Sequence, residues 1–144
     1  MAQTPIQMLG SMAFLMMQSR YHQEMSLEQV RDLCLPPIEA GLAVVAHAPE
    51  ENGVGGAPLA YALCGKVSDE WDARLRDPRF ALTDLPRAAW TSGTHPWVLD
   101  FLPVAGQGPR FAMKAAAAVF EAGSPIHVRL READGRAVVS ERTV

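Results

Sequence analysis

With 144 residues, the chain has the length of one ordinary domain, and residues 1–144 are read as a single domain. Hydrophobic residues make up 49% and charged residues 20%, the balance of a globular protein that buries a core. A formal net charge of −3 speaks against general nucleic-acid binding, and the longest apolar stretches fall far short of the ~20 residues that span a bilayer.

The start Met1-Ala2-Gln3-Thr4 has no positive charge before Arg20, unlike a secretory signal, so a cytoplasmic location is expected. Thr4-Pro5 reads as a helix start, with Thr as N-cap and Pro at the first helical position. Leu9, Met12, Ala13, Met16 and Met17 follow the spacing of a core-facing stripe, which can alternatively line an adaptable groove for an acyl chain. Ser26-Leu27-Glu28-Gln29 has capping-box spacing, with Met25 and Val30 placed as its hydrophobic staple. The second helix is therefore expected from Ser26 to just before Pro36-Pro37. Ser19-Arg20-Tyr21-His22 then falls on the polar connection between two helices, where an imidazole would be accessible.

Leu42 to His47 and Pro58 to Lys66 read as strands around a Gly-, Pro- and acid-rich loop from Pro49 to Gly56. Ser68 can cap a short helix, and Asp77 to Arg87 is expected to be irregular. Trp97 to Leu102 is strongly strand-like. Strict alternation puts Trp97, Leu99 and Phe101 on one face and Val98, Asp100 and Leu102 on the other. Gly106-Gln107-Gly108-Pro109 precedes a helix from Arg110 to Ala122, which Gly123 can terminate. Ile126 to Ala133 and Arg136 to Arg142 flank the hairpin signal Asp134-Gly135. The element order α, α, β, β, α, β, α, β, β describes an α+β domain on a mainly antiparallel sheet.

Cys34 and Cys64 sit in apolar runs and read as reduced, buried thiols; no Cys/His spacing suits a zinc site, so no metal is expected. Of the four histidines, His47, His95 and His127 default to structural or solvated roles. His22 is the candidate for catalysis. Asp100 is costly inside an apolar strand unless paired, and its partner can be an imidazole, an arginine such as Arg110, or a backbone group it caps. The Gly106–Gly108 turn can present backbone N–H groups to an anion or simply serve a tight strand-to-helix corner.

These segments resemble, in order, the toxin-activating lysine acyltransferases encoded beside RTX toxins. The resemblance runs through Leu9-Gly10, Ser19-x-x-His22, Leu35-Pro36-x-Ile38, Pro58-Leu59-Ala60-Tyr61, Trp90-Thr91-Ser92-Gly93, Trp97-Val98-Leu99-Asp100 and the Pro103 to Gly108 turn, about residues 9 to 142. It implies a GNAT-like fold, an acyl–acyl carrier protein donor with no bound cofactor, and lysine ε-amines of an RTX protoxin as acceptor. His22 and Asp100 become the implied catalytic pair. Ser19, Thr91, Ser92, Gly93, Gly106 and Gly108 become substrate-binding candidates, Ser19 as a helper rather than a nucleophile. A homodimer is compatible with the resemblance.

Two routes stay open within that reading, general-base catalysis by His22 and a transient acyl group on His22. Pro103 occupies the place where coenzyme A-dependent GNAT enzymes carry Arg or Gln before G-x-G, which favours a carrier-protein donor. Arg74, Arg76, Arg79 and Arg87 can form a docking patch for an acidic carrier protein or an ordinary solvated face. The chain departs from the family at Leu33, where the family has asparagine, and has a shorter tail. The competing readings are a coenzyme A-dependent acetyltransferase for a small amine and a non-enzymatic binding relative.

Overall fold

The computed structural model describes residues 3–50, 56–103, 108–132 and 135–144. The first helix, α1 (Pro5–Met16), starts as expected: Thr4 accepts from Gln7 N and Gln7 returns a bond to Thr4 N. Met12 and Met16 are buried in the core, while Met17 lies beyond the last turn and is 70% exposed, so the apolar stripe ends one residue early. A one-turn helix, α2 (Arg20–Gln23), follows and carries His22.

Helix α3 (Leu27–Glu39) begins with the Ser26–Gln29 capping box, and Met25 and Val30 both pack against the core. It does not stop before the prolines; Pro36 and Pro37 lie inside it. Each proline removes one N–H from the helical ladder near its end. Burial of Pro37 and Ile38 beside Leu33 and Cys34 outweighs that loss.

The sheet contains β1 (Ala43–His47), β2 (Pro58–Val67), β3 (His95–Leu102), β4 (Pro125–Arg131) and β5 (Ala137–Thr143), ordered β1-β2-β3-β4-β5. All neighbours are antiparallel except β3 and β4, which run parallel and pair only at Trp97↔His127 and Val98↔Val128. Between β2 and β3 come α4 (Asp69–Leu75) and 3₁₀ turns at Leu82–Asp84 and Arg87–Thr91. Ser68 precedes α4, but its side chain makes no cap hydrogen bond. Helix α5 (Gly108–Val119) joins β3 to β4. It ends before Ala122, and Gly123, at φ 87°, serves the turn into β4, where its N–H donates to the Val144 carbonyl. Gly135, at φ 90°, supports the expected last hairpin, whereas Asp134 and Gly106 lie outside the described residues. The architecture is α+β, an open GNAT-like sheet flanked by helices.

Two apolar layers cover the sheet. One holds Met12, Met16, Cys34, Tyr61, Leu63, Trp90, Trp97, Leu99 and Leu102, and the other Cys64, Val98, Phe101, Ala112, Ala116 and Val128. Strict alternation in β3 therefore fails. Leu63 pairs with Asp100 and Cys64 with Val98, leaving Leu99 as an extra residue in a bulge. The bulge shifts the phase, so Asp100 faces the α1/α3 layer instead of sharing a face with Val98.

Burial raises the Cys64 thiol to about 12 and the Cys34 thiol higher still, both from an ordinary 9.0. Folding thus holds both thiols protonated where the unfolded chain ionises. Stability is complete below about pH 9 and falls as pH rises above it. Urea titrations between pH 7 and 10 should show this fall, and replacing both cysteines by alanine should flatten it. At Gly93, an added Cβ would lie 2.5 Å from Ser68 Cα and Val67 O. Gly93→Ala should therefore destabilise the fold by about 1–3 kcal/mol in the same assay.

Candidate active site

Ser19 ends the turn after α1 with extended backbone and starts α2, and its carbonyl accepts from His22 N and Gln23 N. Its hydroxyl does not cap the helix. It lies 2.6 Å from His22 Nδ1, one helical turn along. Packing of this turn against the sheet buries His22 completely, its side chain being 0% exposed. The expectation of an accessible loop imidazole is overturned, because the connection is a helical turn laid over the β2–β3 surface.

Asp100, on β3 just past the bulge, is 4% exposed. Its Oδ2 lies 2.8 Å from His22 Nε2 and 2.6 Å from the Tyr61 hydroxyl. Arg110 is not its partner: the carboxylate reaches a histidine seventy-eight residues earlier in the chain. Carboxylate oxygens accept hydrogen bonds, which makes Nε2–H of His22 the donor to Asp100 Oδ2. Nδ1 of the neutral ring then carries the lone pair and accepts from the Ser19 hydroxyl. The result is an ordered chain from Ser19 Oγ–H through the imidazole to Asp100, the arrangement by which a carboxylate orients a base.

Tyr61 completes the cluster, with its hydroxyl also 3.1 Å from His22 Nε2. Burial, then the charge of Asp100 and its hydrogen bond, push the phenol well above its ordinary 10.0, so it remains a donor. On the other side, the Tyr21 ring meets His22 edge-on at 4.9 Å, and the Arg131 guanidinium lies 3.3 Å from the Tyr21 ring centre. Arg129, on the same face of β4, is buried and donates to the Asp77, Pro78 and Phe80 carbonyls. Its Nε and Nη1, and Arg131 Nε, have no hydrogen-bond partner among the described residues.

The site therefore gathers Ser19, His22 and Asp100 from the sequence candidates. Thr91, Ser92 and Gly93 lie before the start of β3, roughly 20 Å of extended chain from Asp100. There Ser92 donates to the Ala89 carbonyl and accepts from Ser68 N, while Gly93 N donates to Lys66 O. Gly108 opens α5 against Pro103, whose carbonyl oxygen would lie 1.9 Å from an added Cβ.

The other histidines have partners elsewhere. His47 meets Gln3, His95 meets Asp69 at 2.5 Å, and His127 stacks on Trp97 while reaching Glu141. The four arginines considered for docking each face a carboxylate: Arg74 with Glu70, Arg76 with Asp72, Arg79 with Asp77 and Arg87 with Asp32. That surface is charge-balanced, not a basic patch. An open depression of about 630 Å³ between Arg74, Arg79, Phe80 and Asp84 contains none of the Ser19–His22–Asp100 cluster. Met12 and Met16 are core residues, and Phe101 lies in the opposite layer, so these three do not line one groove.

Sequence patterning alone did not assign Tyr61, Tyr21, Arg129 or Arg131. The available signal was a phenol and a guanidinium inside otherwise apolar strands, each of which needs a polar partner when buried.

No curated protein sequence matches the chain. A family model described as HlyC, the RTX toxin acyltransferase family, matches residues 1–141. That match covers nearly the whole chain, both strands that build the site and all three residues of the Ser19–His22–Asp100 chain; the protein belongs to the RTX toxin acyltransferase family.

Proposed function

We propose that this acyltransferase moves a fatty acyl group from acyl–acyl carrier protein to lysine ε-amines of an RTX protoxin in the cytoplasm, using Ser19, His22 and Asp100. The observation that carries this reading is the buried hydrogen-bonded chain Ser19 Oγ–His22 Nδ1, His22 Nε2–Asp100 Oδ2. A lysine ammonium has an ordinary pKa near 10.4 and must lose a proton before its nitrogen attacks a thioester. His22 Nδ1 is the basic atom, and Ser19 stands between it and the outside as proton relay.

The amine attacks the thioester carbonyl carbon and forms a tetrahedral intermediate. Its excess proton passes through Ser19 Oγ to Nδ1, and Asp100 stabilises the resulting imidazolium. Collapse of the intermediate breaks the C–S bond, and the imidazolium proton goes to the departing thiolate. The occupied Nδ1 favours this general-base route over an acyl group on His22, because acylation there would first require Ser19 to move away.

Pro103 supports a carrier-protein donor over coenzyme A, since it offers neither a side-chain donor nor an N–H at the position that would cradle a pyrophosphate. Thr91 and Ser92 are exposed at the remote end of β3 and are assigned to contact with a macromolecular substrate. Exposed Ile6, Phe14 and Met17 on and beside α1 are the surface we assign to a homodimer contact.

Incubation with acyl–carrier protein and a protoxin should give acylated lysines by mass spectrometry; none, with a fully loaded donor, overturns the reading. His22→Ala and Asp100→Ala should each slow transfer by roughly 10²–10⁴-fold. Near-native rates in either variant would refute the assigned roles while leaving family membership intact.

A further inference from the structure

We propose that Tyr61 is a positioning residue that holds His22 in the Nε2–H tautomer, by donating to Asp100 and turning only lone pairs toward Nε2. The proposal rests on the general-base reading above and adds to it the group that maintains the base.

Asp100 Oδ2 receives two short contacts, from the Tyr61 hydroxyl at 2.6 Å and from His22 Nε2 at 2.8 Å. All three side chains are buried, Tyr61 to 0% exposure. A carboxylate in such a site stays ionised only while enough donors face it. Around it lie other groups that bear on its charge. Cys34 is a buried thiol held protonated, Tyr21 is a second phenol, and the Arg129 charge acts on Asp100 without an ion pair among the described residues. Tyr61 is the hydroxyl that donates directly.

The phenol works in two directions at once. Its single proton goes to Asp100, so its oxygen presents only lone pairs to His22 Nε2, 3.1 Å away. Nε2 therefore faces two acceptors, and protonation there is favoured doubly. With the phenol removed, Asp100 loses one of its two donors. The proton shared with Nε2 can then move to the carboxyl group, leaving the ring to take up a proton at Nδ1. That tautomer points N–H at Ser19 and cannot accept the relayed proton. The pair takes up one proton from solvent in this change: the Nε2 proton goes to Asp100 and the solvent proton to Nδ1, so the ring stays neutral.

Tyr61 also has a placement suited to this role, and among the described residues its hydroxyl contacts only His22 and Asp100. It lies on β2, whose register places it opposite Leu102, with Leu63 opposite Asp100. The bulge at Leu99 turns Asp100 toward the β2 face that carries Tyr61. A phenylalanine would fill the same space and bury the same ring.

The test is ¹⁵N NMR of the His22 ring in the free protein at neutral pH, which needs no substrate. The wild type should show a protonated Nε2 and an unprotonated Nδ1, and Tyr61→Phe should show a gain of the Nδ1–H form. Transfer by Tyr61→Phe should fall at least about tenfold in kcat with KM little changed. An unaltered tautomer in a folded Tyr61→Phe protein overturns the proposal. Should that variant fail to fold, the wild type decides: a slowly exchanging Tyr61 hydroxyl proton close to the His22 Nε2 proton is expected, and its absence overturns the assignment. If the tautomer shifts as expected but no acyl transfer occurs even in the wild type, the functional reading fails and the positioning role stands.

Discussion

A carboxylate buried in the middle of an apolar sheet organises this protein. Asp100 has almost no access to water, so its oxygens must be met by partners from within the fold. Tyr61 reaches it from the neighbouring strand and His22 from a helical turn far earlier in the chain. Losing either contact would leave a buried polar group short of partners, so the placement of α2 over the sheet and the integrity of the site are one requirement. The same arrangement that satisfies Asp100 orders the imidazole.

That requirement explains two irregularities that would otherwise look like faults. A regular β3 would send Asp100 toward the α5 layer with Val98, away from any imidazole. The extra residue at Leu99 breaks the alternation and turns the carboxylate to the face where Tyr61 and His22 wait. Ser19, likewise, is a natural cap residue whose hydroxyl does not cap; it bonds to His22 Nδ1 instead. Local hydrogen bonding is given up at both places, and both lie at the site.

The neighbouring strands set charged and aromatic groups around the Ser19–His22–Asp100 cluster. β3 and β4 pair at only two positions before their ladder ends. Beyond that point β4 presents Arg129 and Arg131 on the layer that carries the site, while β3 presents Asp100. The aromatic ring of Tyr21 contacts both the Arg131 guanidinium and the His22 ring.

Much of the scaffold was legible in the residues themselves. The Thr4 N-cap, the Ser26 capping box, the two hairpins, the α+β order and the strand holding Asp100 follow from local preferences and periodicity, which act over a few residues and override little. Local rules failed where packing outweighed them: Pro36 and Pro37 remain helical because Pro37 and Ile38 bury against the sheet, and β3 bulges. His22 and Asp100 were identifiable as unusual residues, and the family resemblance joined them, but no spacing rule could bring together side chains seventy-eight residues apart. The part of Tyr61, the burial of His22 and the direction of its Nδ1 toward Ser19 belong to the tertiary structure alone. Sequence by itself determined which groups would be expensive to bury; only the folded chain decided which of them would satisfy one another, because that depends on distances set by the whole sheet.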